Sequence, residues 1–169
     1  ELGKGDYSVA GDKLDGTVPE KAASVYDGYL YLDNAVMGTI QAKLSKPKVN
    51  KKSGVTTAKT SVTIQINGEK KVSLKDEINL ASGEFIATDK KSDRTLILKL
   101  GLDGISGTFG KYEIDGARNF FDSKDKSEKS TAEEILKPYL GAYSMILDGG
   151  ILSVAIAKKG KVTIKGAID

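Results

Sequence analysis

The chain has 169 residues, a net charge of +3, and neither cysteine nor histidine. Those two absences exclude disulfides, thiolate nucleophiles, cysteine metal sites and a Ser–His triad. Any acid–base chemistry would fall on Asp, Glu, Lys or Tyr. Nineteen Gly against three Pro suit many tight turns, and four Phe, seven Tyr and no Trp leave the core to aliphatics and alanine.

Residues 1–20 are rich in Gly and Asp; Tyr7-Ser-Val9-Ala10 reads as a short strand and Pro19 opens a helical turn. Tyr26–Leu32 reads as the next strand, Asp33-Asn34 as its turn and Val36–Ser45 as the return, with Gly38 marking a bend or a close approach. A basic connection around Pro47 leads to Val55–Ile66, where Val62, Ile64 and Ile66 alternate with polar residues as in a half-buried strand. Asn67-Gly68 predicts a type I′ hairpin into Lys70–Leu74, which extends toward Leu80.

Gly83–Ala87, Thr95–Leu102, Ile105–Phe109 and Tyr112–Ile114 follow as short strands between turns at 89–93, 103–104 and 110. In Thr95–Leu102 apolar residues fall on both parities, as in a strand buried on two sides. Phe120-Phe121 is expected to anchor the end of this section in the core. A charged link at 122–130 precedes a short helix near 131–137. Ser130 or Thr131 would cap it, Glu133 and Glu134 would lie in its first turn, Ile135 and Leu136 would bury one side, and Pro138 would stop it. Glycine-centred turns then divide 139–166 into a meander of three antiparallel strands.

The pattern around Tyr26-x-Gly28, Gly38 and Val62-Thr-Ile64 returns at Tyr139-x-Gly141, Gly150 and Val162-Thr-Ile164. It suggests a single domain over 1–169 with two loosely similar halves, about 24–75 and 137–169 plus 5–11. The expected fold is all-β: one antiparallel barrel, or two sheets in a sandwich, of about ten to twelve short and mostly up-and-down strands. The N-terminal strand at 7–10 is expected to pair with the C-terminal strand at 161–167 and so hide an edge; left open, that edge invites a partner or a homo-oligomer.

Five tyrosines, Tyr26, Tyr29, Tyr31, Tyr139 and Tyr143, fall in the matching halves. They read either as core filling or as an aromatic patch for a sugar ring or apolar ligand. Parity sets Tyr29 and Tyr31 apart from Tyr26, so all five cannot share one site. In the segment 46–75 eight lysines face only Glu69; Lys46, Lys48, Lys51, Lys52, Lys70 and Lys71 are the candidate contact residues for an anionic partner. Nucleic acid is not expected, because arginine is scarce and aromatics do not interleave with the lysines. Asp122, Asp125 and Glu128 recur three apart and form a weak alternative metal set among interspersed lysines. Carboxylate pairs such as Glu84 with Asp103 or Glu113 can be named for a hydrolase, although nothing in the spacing favours them. The glycines of 101–107 lack the Lys-Ser/Thr of a phosphate loop.

The preferred expectation is a non-catalytic structural or adhesive β module whose partner is a polysaccharide or another surface protein, with no cofactor. A small-molecule or lipid carrier with an apolar lumen is the second expectation, and a carboxylate-based hydrolase the third. No stretch is apolar enough for a membrane helix. Composition leans toward a bacterial exported protein: extracellular, periplasmic or at the cell surface after removal of a targeting segment.

Overall fold

Side chains alternate between the two faces of an extended segment, so apolar residues at every second position make a strand with one buried face. This chain consists mostly of such segments. The computed structural model describes residues 23–122, 125–147 and 150–168. By internal packing the chain divides into two units, residues 1–119 and 120–169.

Unit one contains β1 (Ser24–Leu32), β2 (Ala35–Leu44), β3 (Lys48–Val49), β4 (Thr56–Ile66), β5 (Val72–Asn79), β6 (Glu84–Asp89), β7 (Arg94–Leu100), β8 (Gly104–Phe109) and β9 (Tyr112–Arg118). They form one antiparallel sheet in the order β3-β4-β2-β1-β9-β8-β7-β6, with β5 on the other edge of β4. The topology is up-and-down, as expected, but the sheet curls without closing. Strands β5 and β6 are consecutive and adjacent, yet no ladder joins them. Their connection bonds elsewhere instead: Leu80 N–H donates to Thr56 C=O at 3.0 Å, and Leu100 N–H donates to Gly83 C=O at 2.8 Å. The closed barrel is thus corrected to an open, half-barrel sheet. The first described strand, β1, pairs with β2 and β9 rather than with the C-terminal strand, and the segment 7–10 lies outside the described residues.

The concave side is the core. Tyr26, Leu30, Ile64, Leu98 and Phe109 are completely buried there, and Phe85 and Ile105 nearly so. On β7 the parity resolves: Leu96, Leu98 and Leu100 point inward, whereas Ile97 is exposed opposite Ile86. This central strand is therefore buried on one side, not two. Gly38 sits where a Cβ would come within 2.2 Å of the Gln65 carbonyl oxygen, so β2 and β4 approach closely only because the residue has no side chain.

The I′ turn is at Asp33-Asn34, whose φ angles of 50° and 66° join β1 to β2 directly. At Asn67-Gly68 only the glycine has positive φ, at 76°, and Glu69 N–H donates to Ile66 C=O at 3.1 Å. This is the type II pattern, with the glycine third in the turn. The ladder of β4 and β5 ends at Ile64 opposite Val72, so the turn sits in a longer loop rather than a two-residue hairpin, and Asn67 N–H donates to Met37 C=O of β2 at 2.9 Å. Next to that tip, Arg94 donates to both oxygens of Glu69, at 2.6 and 3.1 Å. The ion pair raises the guanidinium above its ordinary pKa, and its plane lies near the rings of Phe109 and Tyr112.

Unit two begins with a short 3-10 turn at Phe120–Asp122, followed by helix α1 (Lys126–Leu136) and a second 3-10 turn at Lys137–Tyr139. The helix starts earlier than expected because Asp125 caps it, accepting from Ser127 N–H at 2.8 Å. Thr131, an expected cap, lies mid-helix and donates to Ser127 C=O. Ala132 is the buried helical residue and Leu136 is half-buried, while Ile135 is exposed, so the expected apolar side is corrected at Ile135. Phe120 and Phe121 are half-buried and are not part of the first unit's core. Strands β10 (Gly141–Leu147), β11 (Gly150–Ile156) and β12 (Val162–Ile168) form the expected antiparallel meander. Gly160, with φ of 71°, turns β11 into β12 and leaves room for the Phe121 ring.

Candidate functional site

The inner face of unit one is filled, so its accessible side chains come from the outer parity of its strands. There the registers bring three rows together. Tyr29 stands opposite Thr39, and Thr39 opposite Gln65. In the next row Asp27, Gln41 and Thr63 align, and beyond it Lys43, Ser61 and Lys75. The first two rows line one open groove, and the third, with Lys59, Asp76 and Glu77, lines a second.

Asp27 organises the first groove. Its two carboxylate oxygens accept from Gln41 Nε2 at 2.7 Å and from Asn119 Nδ2 at 2.9 Å. The first bond holds the Gln41 amide beside Asp27. Gln65 Nε2 is held likewise, donating to the carbonyls of Ile66 and Glu69 at 3.0 and 2.8 Å. Tyr29 is 52 % exposed and meets Tyr31 edge to face, with ring centroids 6.4 Å apart. An exposed aromatic beside fixed amides, hydroxyls and a carboxylate can stack an apolar ring face and hydrogen-bond its substituents.

Of the residues expected from sequence, Tyr29 lines this groove and Tyr31 adjoins it. Tyr26 does not: it is fully buried, and its hydroxyl donates to Gly101 C=O at 2.7 Å, a core bond that leaves no surface for a ligand. Tyr139 and Tyr143 belong to unit two, where both are exposed and Tyr143 Oη donates to Tyr139 C=O at 2.8 Å. The lysines do not form one patch. Lys46, Lys48, Lys51 and Lys52 lie before the start of β4, and Lys70 and Lys71 lie beyond its end, so a strand of roughly 35 Å separates them. Lys43, Lys59 and Lys75 are the lysines the sheet brings together, and only pairing registers reveal it. Asp27, Thr39, Gln41, Thr63 and Gln65 were missed for the same reason, although Asp27 shares parity with Tyr29.

Asp125 uses its carboxylate as the helix cap, and Glu128 lies in the first turn behind it. Among the described residues no group of three or more Asp or Glu side chains is placed to hold a metal ion. Glu84 begins β6 and Glu113 lies on β9 with β7 and β8 between them, while Asp103 sits in the turn before β8, where its carbonyl accepts from Arg118 N–H. Among the described residues no helix is long and apolar enough to cross a membrane. No protein-family model, curated protein or solved structure matches the chain.

Proposed function

We propose that the chain is a non-catalytic binding module that holds an extended polysaccharide across the outer face of β1, β2 and β4. The observation that carries this reading is Tyr29: a half-exposed ring with Gln65 in its own row and Gln41 in the next, both amides held by hydrogen bonds. Fixed donors and acceptors lose little freedom when a ligand replaces water on them, which favours binding over a mobile polar surface. In the next groove Lys43, Lys59 and Lys75 outnumber Asp76 and Glu77, an excess of cations that favours a polymer carrying carboxylates or sulfates. The filled interior weighs against the carrier reading, because residues with no accessible surface leave no water-sized space beside them. A module of this kind, free of cysteine, suits work outside the cytoplasm as an adhesive component of a cell surface or an exported protein.

Affinity electrophoresis through gels holding neutral or anionic polysaccharides tests the reading. Retardation by at least one polymer is expected, weakened about tenfold by Tyr29→Ala, as for a central aromatic contact. Migration unchanged in every gel, or retardation indifferent to Tyr29→Ala, would sink it.

A further inference from the structure

The sheet of unit two presents one face on which Tyr143, Val154 and Ile164 stand in register, with Tyr143 47 % and Ile164 62 % exposed. Among the described residues β10 pairs with β11 alone, and no described strand lies along its other edge, where backbone N–H and C=O groups can take one. Unit one shows the same arrangement complete. In both sheets the second strand has a glycine, Gly38 or Gly150, opposite a leucine of the first, Leu30 or Leu147. Counting from that pair, Tyr143 corresponds to Tyr26, Val154 to Ala42 and Ile164 to Val62. Tyr26, Ala42 and Val62 are buried, and the edge of β1 that matches the free edge of β10 is taken by β9.

With the turn before it, β9 reads Gly110-Lys-Tyr112-Glu-Ile114-Asp-Gly116-Ala-Arg118. One more segment has this pattern: Gly5-Asp-Tyr7-Ser-Val9-Ala-Gly11-Asp-Lys13, with the same Gly, Tyr, β-branched residue, Gly and terminal cation at the same spacing. It lies outside the described residues.

We propose that the free edge of β10 is a strand-addition site and that its occupant is the segment Gly5–Lys13 of a second copy of the chain. Chain order selects the second copy. In unit one the β1-type strand comes first and the β9-type strand after it; the C-terminal sheet of one copy followed by the N-terminal segment of the next keeps that order. The ladder supplies affinity, and Tyr7 and Val9 extend the apolar face as Tyr112 and Ile114 do in unit one. Because the two surfaces differ, copies join head to tail and give open chains rather than a closed pair.

The absence of cysteine gives a clean background for cross-linking. Asp27 pairs with Ala117 in unit one, so Ser144 is expected to face Asp12. In the full chain carrying Asp12→Cys and Ser144→Cys, mild oxidation is expected to give inter-chain disulfides, seen as dimers and longer species on a non-reducing gel. They should form about tenfold faster than with Asp12→Cys and Ser153→Cys, whose partner lies one strand further away and beyond disulfide reach. A synthetic peptide of residues 3–15 added to the native full chain is expected to return its oligomers to monomer in sedimentation velocity, and a scrambled peptide is not. Equal cross-linking of both pairs, cross-links confined within single chains, no cross-link, or indifference to the peptide each overturns the proposal.

Discussion

Tyr26 and Tyr29 are three residues apart on one strand and should fail in opposite ways. Tyr26 is fully buried, and its hydroxyl reaches the carbonyl of Gly101, itself buried, 75 residues away in sequence. Tyr26→Phe keeps the ring and removes that donor. The loss combines the net value of a hydrogen bond with the cost of a buried carbonyl left short of a partner, about 2 kcal/mol. For a unit of this size that corresponds to a drop in melting temperature of roughly 10 °C. Polysaccharide retention, measured below the lowered transition, should not change. Tyr29→Ala removes a half-exposed ring with no core role, so the melting temperature should stay within about 2 °C while retention falls. Differential scanning calorimetry and affinity electrophoresis on the same preparations separate the two effects. A Tyr26→Phe chain that melts like the parent, or a Tyr29→Ala chain as destabilised as Tyr26→Phe, would refute the division of the strand into core and ligand faces.

Three further outcomes follow from single contacts. Gly38→Ala places a methyl 2.2 Å from the Gln65 carbonyl and must push β2 from β4, which should cost about 2–3 kcal/mol in urea unfolding, far more than an exposed Gly→Ala in the same sheet. Asp125→Ala removes the cap of α1 and should cost about 1 kcal/mol, seen as a fall in helical circular dichroism with the β signal kept. Asp89 accepts from the Ser92 hydroxyl at 2.6 Å, a bond that holds its carboxylate below the ordinary pKa. Its contribution to stability is therefore fully present above the unfolded value and is lost as pH falls through the lowered folded one. An NMR titration should show the low midpoint, and Ser92→Ala should move it up toward the ordinary value.

The strands were legible because their chemistry is local. Val62, Ile64 and Ile66 announce a half-buried strand without knowledge of any partner. The meander after Tyr139 was legible for the same reason, since short links leave antiparallel pairing as the natural outcome. What sequence could not supply was register. Asn67-Gly68 carries the stronger I′ signature, yet β4 and β5 pair only as far as Ile64 and Val72 and leave a longer loop there, whereas Leu32 and Ala35 pair directly and Asp33-Asn34 adopts the I′ form. The helix start was misplaced because Ser130, Thr131 and Asp125 are all competent caps, and only the bonds at Asp125 decide between them. The lysines of 46–75 looked like one patch because they are close in sequence, but an extended strand carries the two groups to opposite ends. Conversely, Lys43, Lys59 and Lys75 are sixteen apart and meet only through the β2–β4–β5 ladders.

A curled sheet whose concave side is filled has its outer face left for recognition, and that face has two characters. On β6 and β7 it shows Ile86 opposite Ile97, exposed at 57 % and 50 %. On β1, β2 and β4 it shows Tyr29 among amides, hydroxyls and a carboxylate. A sugar polymer offers C–H faces and hydroxyls together, so it needs an aromatic and fixed polar partners in the same few ångströms; two isoleucines satisfy only half of that demand. The Gln41 amide is the fixed donor nearest the centre of the polar half, held by Asp27. Gln41→Ala should therefore weaken retention severalfold, and Ile97→Ser should leave it unchanged. If Ile97→Ser abolishes retention and Gln41→Ala does not, the ligand lies on β6 and β7, and recognition by this sheet is apolar.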